Sequence, residues 1–242
     1  MTGDEKFSCG LCPKAVTVNI PSIGREDRIG MALNHVFQIM YQTEQTDVKS
    51  GVKIYWDFSE CRFLHPFFLA PLAVIKNRYA DSVECINVTQ EIKGYLDRVF
   101  FNLPLSIFEN ENENDETLWN RYTDKSYIPV CLFNPRNKSS VTAQTLVQNA
   151  IRRQFRHNSQ LYYILSHLLS ELTDNITDHS KSDKGYIYCQ SLQKGEFLHV
   201  FICDTGRSIY STYAADERYA DDLTLFESSA LQRVDCLIDF QD

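Results

Sequence analysis

The sequence predicts a mixed α/β protein built from two units. In the first hundred residues, apolar runs rich in β-branched and aromatic side chains alternate with stretches of helical periodicity. In the second half, two helical patterns precede two strand patterns. Between them lies ENENENDET at 109–117, the most polar run in the chain. A chain of 242 residues is long enough for two cores.

In the first unit, strands and helices alternate, which predicts parallel strands with helices packed on the sheet. The predicted strands are 15–20, 52–58 and 83–88, and the predicted helices are 28–45, 67–79 and 91–100.

The polar run divides the chain into a first domain at 1–108, a linker at 109–126 and a second domain at 127–242. The alternative is a long surface loop inside one domain. A third interpretation, an unrelated α/β enzyme, would be supported if the polar run were buried within one domain.

The second unit begins with a strand at 127–133, which Asn134-Pro135 would end. Residues 140–142 can cap a helix that runs to about residue 155, and Asn158 and Ser159 can start the next helix. Two strands follow, at 185–190 and 197–203. Along the second helix an apolar stripe is expected to face a core, formed by Leu161, Leu165, Leu168, Leu172 and Ile176.

The bulk composition excludes several classes of protein. With 32 acidic against 24 basic residues the net charge is -8, which disfavours nucleic acid as a partner. The longest nearly apolar run, 66–75, is about half the length of a membrane-spanning helix. The first residues, MTGDEKF, are charged and lack the apolar stretch of a secretory signal, so we expect a cytoplasmic protein.

The eight cysteines are scattered, and only Cys9 and Cys12 form a C-x-x-C pair. A structural zinc site needs four ligands and a redox motif needs a strand-to-helix context, and neither accompanies this pair. We therefore expect reduced cysteines that pack as small hydrophobic side chains.

A polar cluster, ELTDNITDHS at 171–180, follows the apolar stripe. At 100° per residue, Glu171, Asn175, Asp178 and His179 share one helix face. An amide oxygen can bind Mg²⁺, and a carboxylate one turn away can polarise a water or a hydroxyl. The alternative is an ordinary solvated helix edge.

A second signal is FICDTGRSI, in which Asp204 leaves an apolar strand and Gly206 follows two residues later. A strand-terminal carboxylate can accept a hydrogen bond from an exocyclic amine, and glycine lets the backbone approach a flat ligand. Adenine fits both properties. A tight turn after a strand gives the same pattern.

Together the two segments resemble the ATP-binding fold of gyrase, the heat-shock chaperones, histidine kinases and MutL, the GHKL superfamily. The resemblance covers about residues 127–215 and implies a GHKL-type α/β sandwich that binds ATP and Mg²⁺. It implies that Glu171 is the general base, that Asn175 holds Mg²⁺, and that His179, Asp204 and Gly206 bind the nucleotide.

The chain departs from that family at three points. Ser208 stands where the family repeats glycine, and Asp178 where many members carry lysine. Residues 216–242 contain no glycine, so a phosphate-cradling second glycine box is not found there. We therefore expect a domain truncated before its lid and last strands.

The junction WDFSECRFLHPFF at 56–68 resembles that of STAS domains, the fold of anti-sigma-factor antagonists. Matching residues are Asp57, Phe58, Ser59, Phe63 and Leu64, whereas His65, Pro66 and Phe67 replace the polar part. The resemblance implies a STAS-like partner module. We expect Ser59 to be structural and no phosphorylation switch at 65–67.

The leading hypothesis is a cytoplasmic regulatory protein, a serine/threonine kinase or ATPase of the anti-sigma-like branch that acts on a protein partner. Neither His157 nor His167 is followed by an acidic residue, which disfavours a sensor histidine kinase. A homodimer is one option for its assembly. The alternative is a non-catalytic interaction protein that keeps the fold with weak or no nucleotide binding.

Overall fold

The computed structural model describes residues 15–22, 29–46, 52–107, 120–192, 197–206 and 237–241. These residues form a mixed α/β structure with two sheets, which confirms the predicted class. Within them, no helix is both long enough and apolar enough to cross a lipid bilayer.

The first sheet has three parallel strands in the order β1-β2-β3. Helices α1 and α2 connect consecutive strands and α3 follows the last one, so the predicted parallel pairing is confirmed. The elements are β1 (Ala15–Asn19), α1 (Ile29–Gln45), β2 (Lys53–Asp57), α2 (Pro66–Arg78), β3 (Val83–Ile86) and α3 (Gln90–Arg98).

The second sheet has five strands in the order β4-β5-β6-β7-β8, and all pairs are antiparallel except β4 with β5. Its elements are β4 (Leu105–Ser106), β5 (Tyr127–Phe133), α4 (Lys138–Gln154), α5 (Ser159–His179), β6 (Gly185–Leu192), β7 (Phe197–Asp204) and β8 (Leu237–Gln241). The sequence did not predict β4 or β8. Because β4 lies within 1–108, the chain joins the second sheet before it reaches the polar run.

Side-chain caps fix the beginnings of the last two helices. Asn158 accepts a hydrogen bond from the Leu161 N–H at 3.0 Å, as predicted for α5. The predicted cap of α4 at 140–142 is wrong. Asn137 caps that helix by accepting from the Ser139 N–H at 2.8 Å, because the chain after Pro135 is already extended at Asn137.

The apolar stripe of α5 also differs from the prediction. Its fully buried positions are Leu165, Leu169, Thr173 and Ile176, and the helix packs against α4 and β7. Leu168 is 36% exposed, so its place in the predicted stripe is wrong. A leucine at 169 stands closer to the centre of the buried face set by Leu165 and Ile176 than one at 168.

The other face of the second sheet is covered by the first unit. Tyr186, Tyr188, Phe201 and Cys203 belong to the same buried cluster as the core of the three-stranded sheet. Both faces of β6 and β7 are therefore buried along most of their length.

Hydrogen bonds between the units reinforce this shared core. The Val130 N–H donates to the Val99 carbonyl at 3.0 Å, and the Asn77 amide donates to the Tyr186 hydroxyl at 2.7 Å. The Tyr95 hydroxyl on α3 donates to the Gln190 side-chain oxygen, which also accepts from Tyr188.

Candidate functional site

The polar cluster lies on the exposed side of α5. Glu171, Asn175, Asp178 and His179 are all solvent-exposed, on the side away from the sheet. Glu171 comes within 3.8 Å of the ring nitrogen of His167, one turn earlier, and 61% of its side chain is exposed. At that exposure an ion pair contributes little to stability, so the carboxylate remains accessible to a ligand.

Asp204 is the last residue of β7 and forms a tight turn. Its carboxylate accepts a hydrogen bond from the Gly206 N–H at 2.6 Å, as in an Asx turn. The side chain is half-buried. Part of its hydrogen-bonding capacity therefore shapes the backbone at the end of the strand.

Gly206 contacts the end of α5 closely. A Cβ atom at this position would lie 2.0 Å from the carbonyl oxygen of Ser180, the residue that follows α5. No side chain fits at that distance from a backbone atom, so only glycine is compatible with this contact. From the sequence, we expected Gly206 to let a flat ligand approach the backbone. In the structure, the end of α5 approaches the backbone there.

Two serines hold the connection between α5 and β6. The Ser180 hydroxyl donates to the Ile176 carbonyl at 2.6 Å and accepts from the Ser182 N–H at 3.0 Å. The Ser182 hydroxyl donates to the Lys184 carbonyl and lies 3.2 Å from the Thr205 hydroxyl. Sequence reasoning included Ser180 only as the last residue of the polar cluster and missed Ser182, although serines directly after a helix are typical of such turns.

These contacts gather one end of the second sheet against α5. Phe133, Gly185 and Asp204 stand opposite one another in three neighbouring strands. Thr177 on α5 donates to the Pro135 carbonyl at 3.0 Å, just beyond β5. We call this region, with the exposed face of α5 that leads to it, the Asp204 end.

Distance along α5 separates the predicted residues into two groups. His179 ends the helix beside the Asp204 turn, since Ser180 packs on Gly206. Asn175 lies one turn earlier, and Glu171 lies about 12 Å from His179 at 1.5 Å per residue. The structure thus places the last residue of α5, His179, next in the chain to the Ser180–Gly206 contact, with Asn175 and Glu171 farther along the helix.

Two cavities along the described residues are lined by other side chains. One of about 570 Å³ lies beside β3, and its lining includes Lys53, Lys76 and Lys93. The other, of about 350 Å³, lies at the opposite end of the second sheet from Asp204.

The cysteines in the described part of the chain are free thiols, and most are buried. Burial raises the pKa of the Cys61 thiol to about 11 and that of Cys189 to about 12. Such thiols are protonated near neutral pH and behave as small apolar groups. Cys9 and Cys12 lie outside the described residues, and the described ones form no cluster of three or more His, Cys, Asp or Glu side chains fit for a metal.

At the end of β2, Asp57 organises a second turn. Its carboxylate accepts from the Asn87 side-chain amide and from the Ser59 N–H, both at 2.9 Å. These hydrogen bonds, the one from Asn87 first, hold the pKa of Asp57 below its ordinary value. Ser59 thus contributes its backbone to a turn at the end of β2.

No protein-family model, curated protein or solved structure matches the chain.

Proposed function

We propose that the second unit binds ATP with Mg²⁺ at the Asp204 end, and that the protein is a regulatory kinase or ATPase of the GHKL type with a STAS-like first unit. The observation that carries this proposal is the contact of Gly206 with Ser180. It sets a strand-terminal carboxylate beside the end of a helix whose exposed face carries an amide and a carboxylate.

The spacing suits an elongated ligand. Asp204 would accept a hydrogen bond from the adenine amino group, with Gly206 beside the ring. The triphosphate would extend along α5 toward Asn175 and Glu171, which are exposed and therefore accessible. Glu171 would act as the general base toward a water or a hydroxyl of the protein partner.

The residues present fit a magnesium ion that arrives with the nucleotide. Mg²⁺ keeps several waters and needs few protein ligands, so the Asn175 amide oxygen and the phosphate oxygens suffice. The ion would neutralise phosphate charge. Because Glu171 and Asp178 give this face an acidic character, nucleotide without a divalent cation would be repelled.

One observation favours the alternative, a non-catalytic interaction protein with weak or no nucleotide binding. The hydrogen bond from Gly206 to Asp204 and the packing of Gly206 on Ser180 already give this pair a structural role. The glycine-free stretch at 216–242, in which a second glycine box was not found, lies outside the described residues except for 237–241.

Equilibrium titration with fluorescent ATP, with and without Mg²⁺, separates the two functions. Two variants test the site: Asn175→Ala removes the proposed metal ligand, and Asp204→Asn removes the charge but keeps an oxygen for the Gly206 N–H. We expect each variant to weaken binding by at least about tenfold, the effect of losing one charge-assisted interaction.

The matched control is Gln160→Ala, an exposed position in the first turn of α5, which should bind like the wild type. Thermal melts of all variants check that the fold is kept. If wild-type protein binds no ATP, or both site variants bind as tightly as Gln160→Ala, the alternative replaces the proposal.

A further inference from the structure

The N-terminal half of α5 carries large apolar side chains that face solvent. Tyr163, Ile164 and Leu168 are 70%, 55% and 36% exposed. At 100° per residue they lie within about 140° of the helix circumference, on the side opposite the buried Leu165 and Leu169. Single exposed apolar side chains are common, but several on one face indicate a surface that binds another molecule. We call this surface the Ile164 face.

The two ends of the Ile164 face carry opposite charges. At the end where α4 leads into α5, Arg152 and Arg156 are exposed. Arg152 lies beside the first turn of α5, since its guanidinium carbon is 5.8 Å from the centre of the Tyr162 ring. Beyond the apolar residues, Glu171 and Asp174 are exposed on α5. The apolar patch therefore has a basic end and an acidic end.

This order of charges fits a second copy of the same chain. In an antiparallel pair of α5 helices related by a two-fold axis, the basic end of each copy lies beside the acidic end of the other. A parallel pair would place like charges together, which costs free energy. A partner that carries one sign of charge would match only one of the two ends.

The apolar side chains set the position of the two-fold axis. With Ile164 on the axis, this side chain packs on its own counterpart, and Leu168 lies opposite Gln160 of the second copy. Glu171 then lies opposite the turn of the second copy that contains Arg156. The apolar contacts are thus in the centre of the pair, and the charged ones are at its two ends.

We propose that the protein forms a homodimer through an antiparallel pair of α5 helices, with Ile164 at the two-fold axis and Arg156 of each copy beside Glu171 of the other. One helix face per copy makes a small interface, so the dimer is expected to be weak. The dimer does not rest on the proposed nucleotide site. Because α5 begins at Ser159, the helix of the second copy ends opposite Leu169 and leaves Asn175 uncovered.

Sedimentation equilibrium of the full 242-residue chain between about 1 and 200 µM measures the association. We expect a dimer with a Kd below about 100 µM. Ile164→Glu places two carboxylates against each other at the axis, so it should raise the Kd by at least about tenfold. Val141→Glu is the matched control, because Val141 is an exposed apolar residue on α4 and its replacement should leave the Kd unchanged.

A charge exchange tests whether the pair is antiparallel. Arg156→Glu should weaken the dimer by about three- to tenfold, because the new carboxylate lies beside Glu171 of the other copy. The double variant Arg156→Glu with Glu171→Arg should restore the wild-type Kd, since opposite charges again lie together.

Disulfide cross-linking locates the axis without a measurement of affinity. Ile164→Cys should form a disulfide-linked dimer under mild oxidation, because the same residue of both copies meets at the axis. Gln160→Cys is the matched control. Its counterpart lies about 12 Å farther along the pair, beyond the reach of a disulfide. Wild-type protein gives the background from the native thiols.

Three results would overturn the proposal: a wild-type protein that stays monomeric up to about 200 µM, which would leave the Ile164 face to a different partner; equal Kd values for Ile164→Glu and Val141→Glu; or cross-linking of Gln160→Cys as fast as that of Ile164→Cys. Thermal melts by circular dichroism check that each variant folds, and the cross-linking decides if Ile164→Glu melts early. Mass and cross-linking are measured without nucleotide, so the dimer and the ATP site can fail separately.

Discussion

The two faces of β6 and β7 are both buried, but they are built from different chemistry. The face under α4 and α5 consists of Ile187, Cys189, Leu198, Val200 and Ile202. The face toward the first unit includes Tyr186, Tyr188, Gln190, His199, Phe201 and Cys203, and the first four of these side chains carry a polar nitrogen or oxygen. The helix face is an ordinary apolar core, whereas the other is an interface with hydrogen bonds.

The difference shows how one sheet can join two units. Tyrosine buries a large apolar ring and keeps a hydroxyl that must find a partner. Here the Tyr186 hydroxyl accepts from Asn77 on α2, and those of Tyr95 and Tyr188 meet at Gln190. The hydroxyls fix the relative position of the units, and the rings supply most of the buried area. We therefore expect both units to unfold as one cooperative body.

The largest effect is expected from Phe201→Ala on the interface face. Phe201 is 2% exposed and packs in the cluster shared by both units, so its loss should reduce the free energy of unfolding by about 3–5 kcal/mol. Chemical denaturation followed by tryptophan fluorescence and by circular dichroism should give one coincident transition. The reason is that Phe201 packs in the cluster that both units share, so its loss weakens both units together.

Leu103→Ala is the control, since that side chain is 76% exposed and its removal should change stability by less than about 0.5 kcal/mol. Two separate transitions in wild type or in Phe201→Ala would show that the interface does not couple the units.

A smaller effect is expected from Gly185→Ala, which tests the packing of the helix face. The new Cβ would lie 2.4 Å from the ring of Phe133, a fully buried side chain with little room to move. Overpacking of this kind costs about 1–3 kcal/mol, measured as a shift in the denaturation midpoint.

Gly94→Ala is the matched control for that substitution. No atom lies within 4 Å of the added Cβ, and Gly94 is inside α3, so alanine should stabilise the protein by about 0.5–1 kcal/mol. Equal effects of the two substitutions would mean that the helix face is not tightly packed at Gly185.

Local patterns in the sequence predicted most elements and little of their assembly. Strands and helices were found because apolar residues repeat with a period of two or about four, and Asn158 was recognised as a cap. β4 has only two residues and β8, LIDFQ, contains a charge, so neither carries a readable pattern. Near-continuous apolar runs such as those of β6 and β7 are typical of strands buried on both faces, but no local signal identifies what covers the second face.

For the candidate site too, local patterns predicted the separate motifs but not how they come together. Helical geometry predicted that Glu171, Asn175, Asp178 and His179 share a face, and the strand pattern placed Asp204 at a strand end. The contact of Gly206 with Ser180 joins residues that are 26 positions apart in the chain. No spacing rule encodes such a contact, and it decides whether the two motifs lie close together.

The smallest effect on stability at neutral pH is expected from Tyr188→Phe, and this effect changes at alkaline pH. Burial is the main reason that the pKa of Tyr188 lies well above its ordinary value near 10, so the folded protein keeps the phenol protonated where the unfolded chain releases the proton. This contribution to the free energy of unfolding is complete below pH 10 and is lost as the pH rises further, by about 1.4 kcal/mol per pH unit for each such tyrosine.

Tyr188→Phe should reduce the slope of the unfolding free energy against pH by the equivalent of about one proton. At neutral pH the substitution costs only about 0.5–1.5 kcal/mol, for the lost hydrogen bond to Gln190. Denaturant titrations between pH 8 and about 11.5 measure both quantities. Leu103→Ala, which removes an exposed side chain that does not titrate, should keep the wild-type slope. If Tyr188→Phe keeps it as well, the tyrosines are not what distinguishes the two faces.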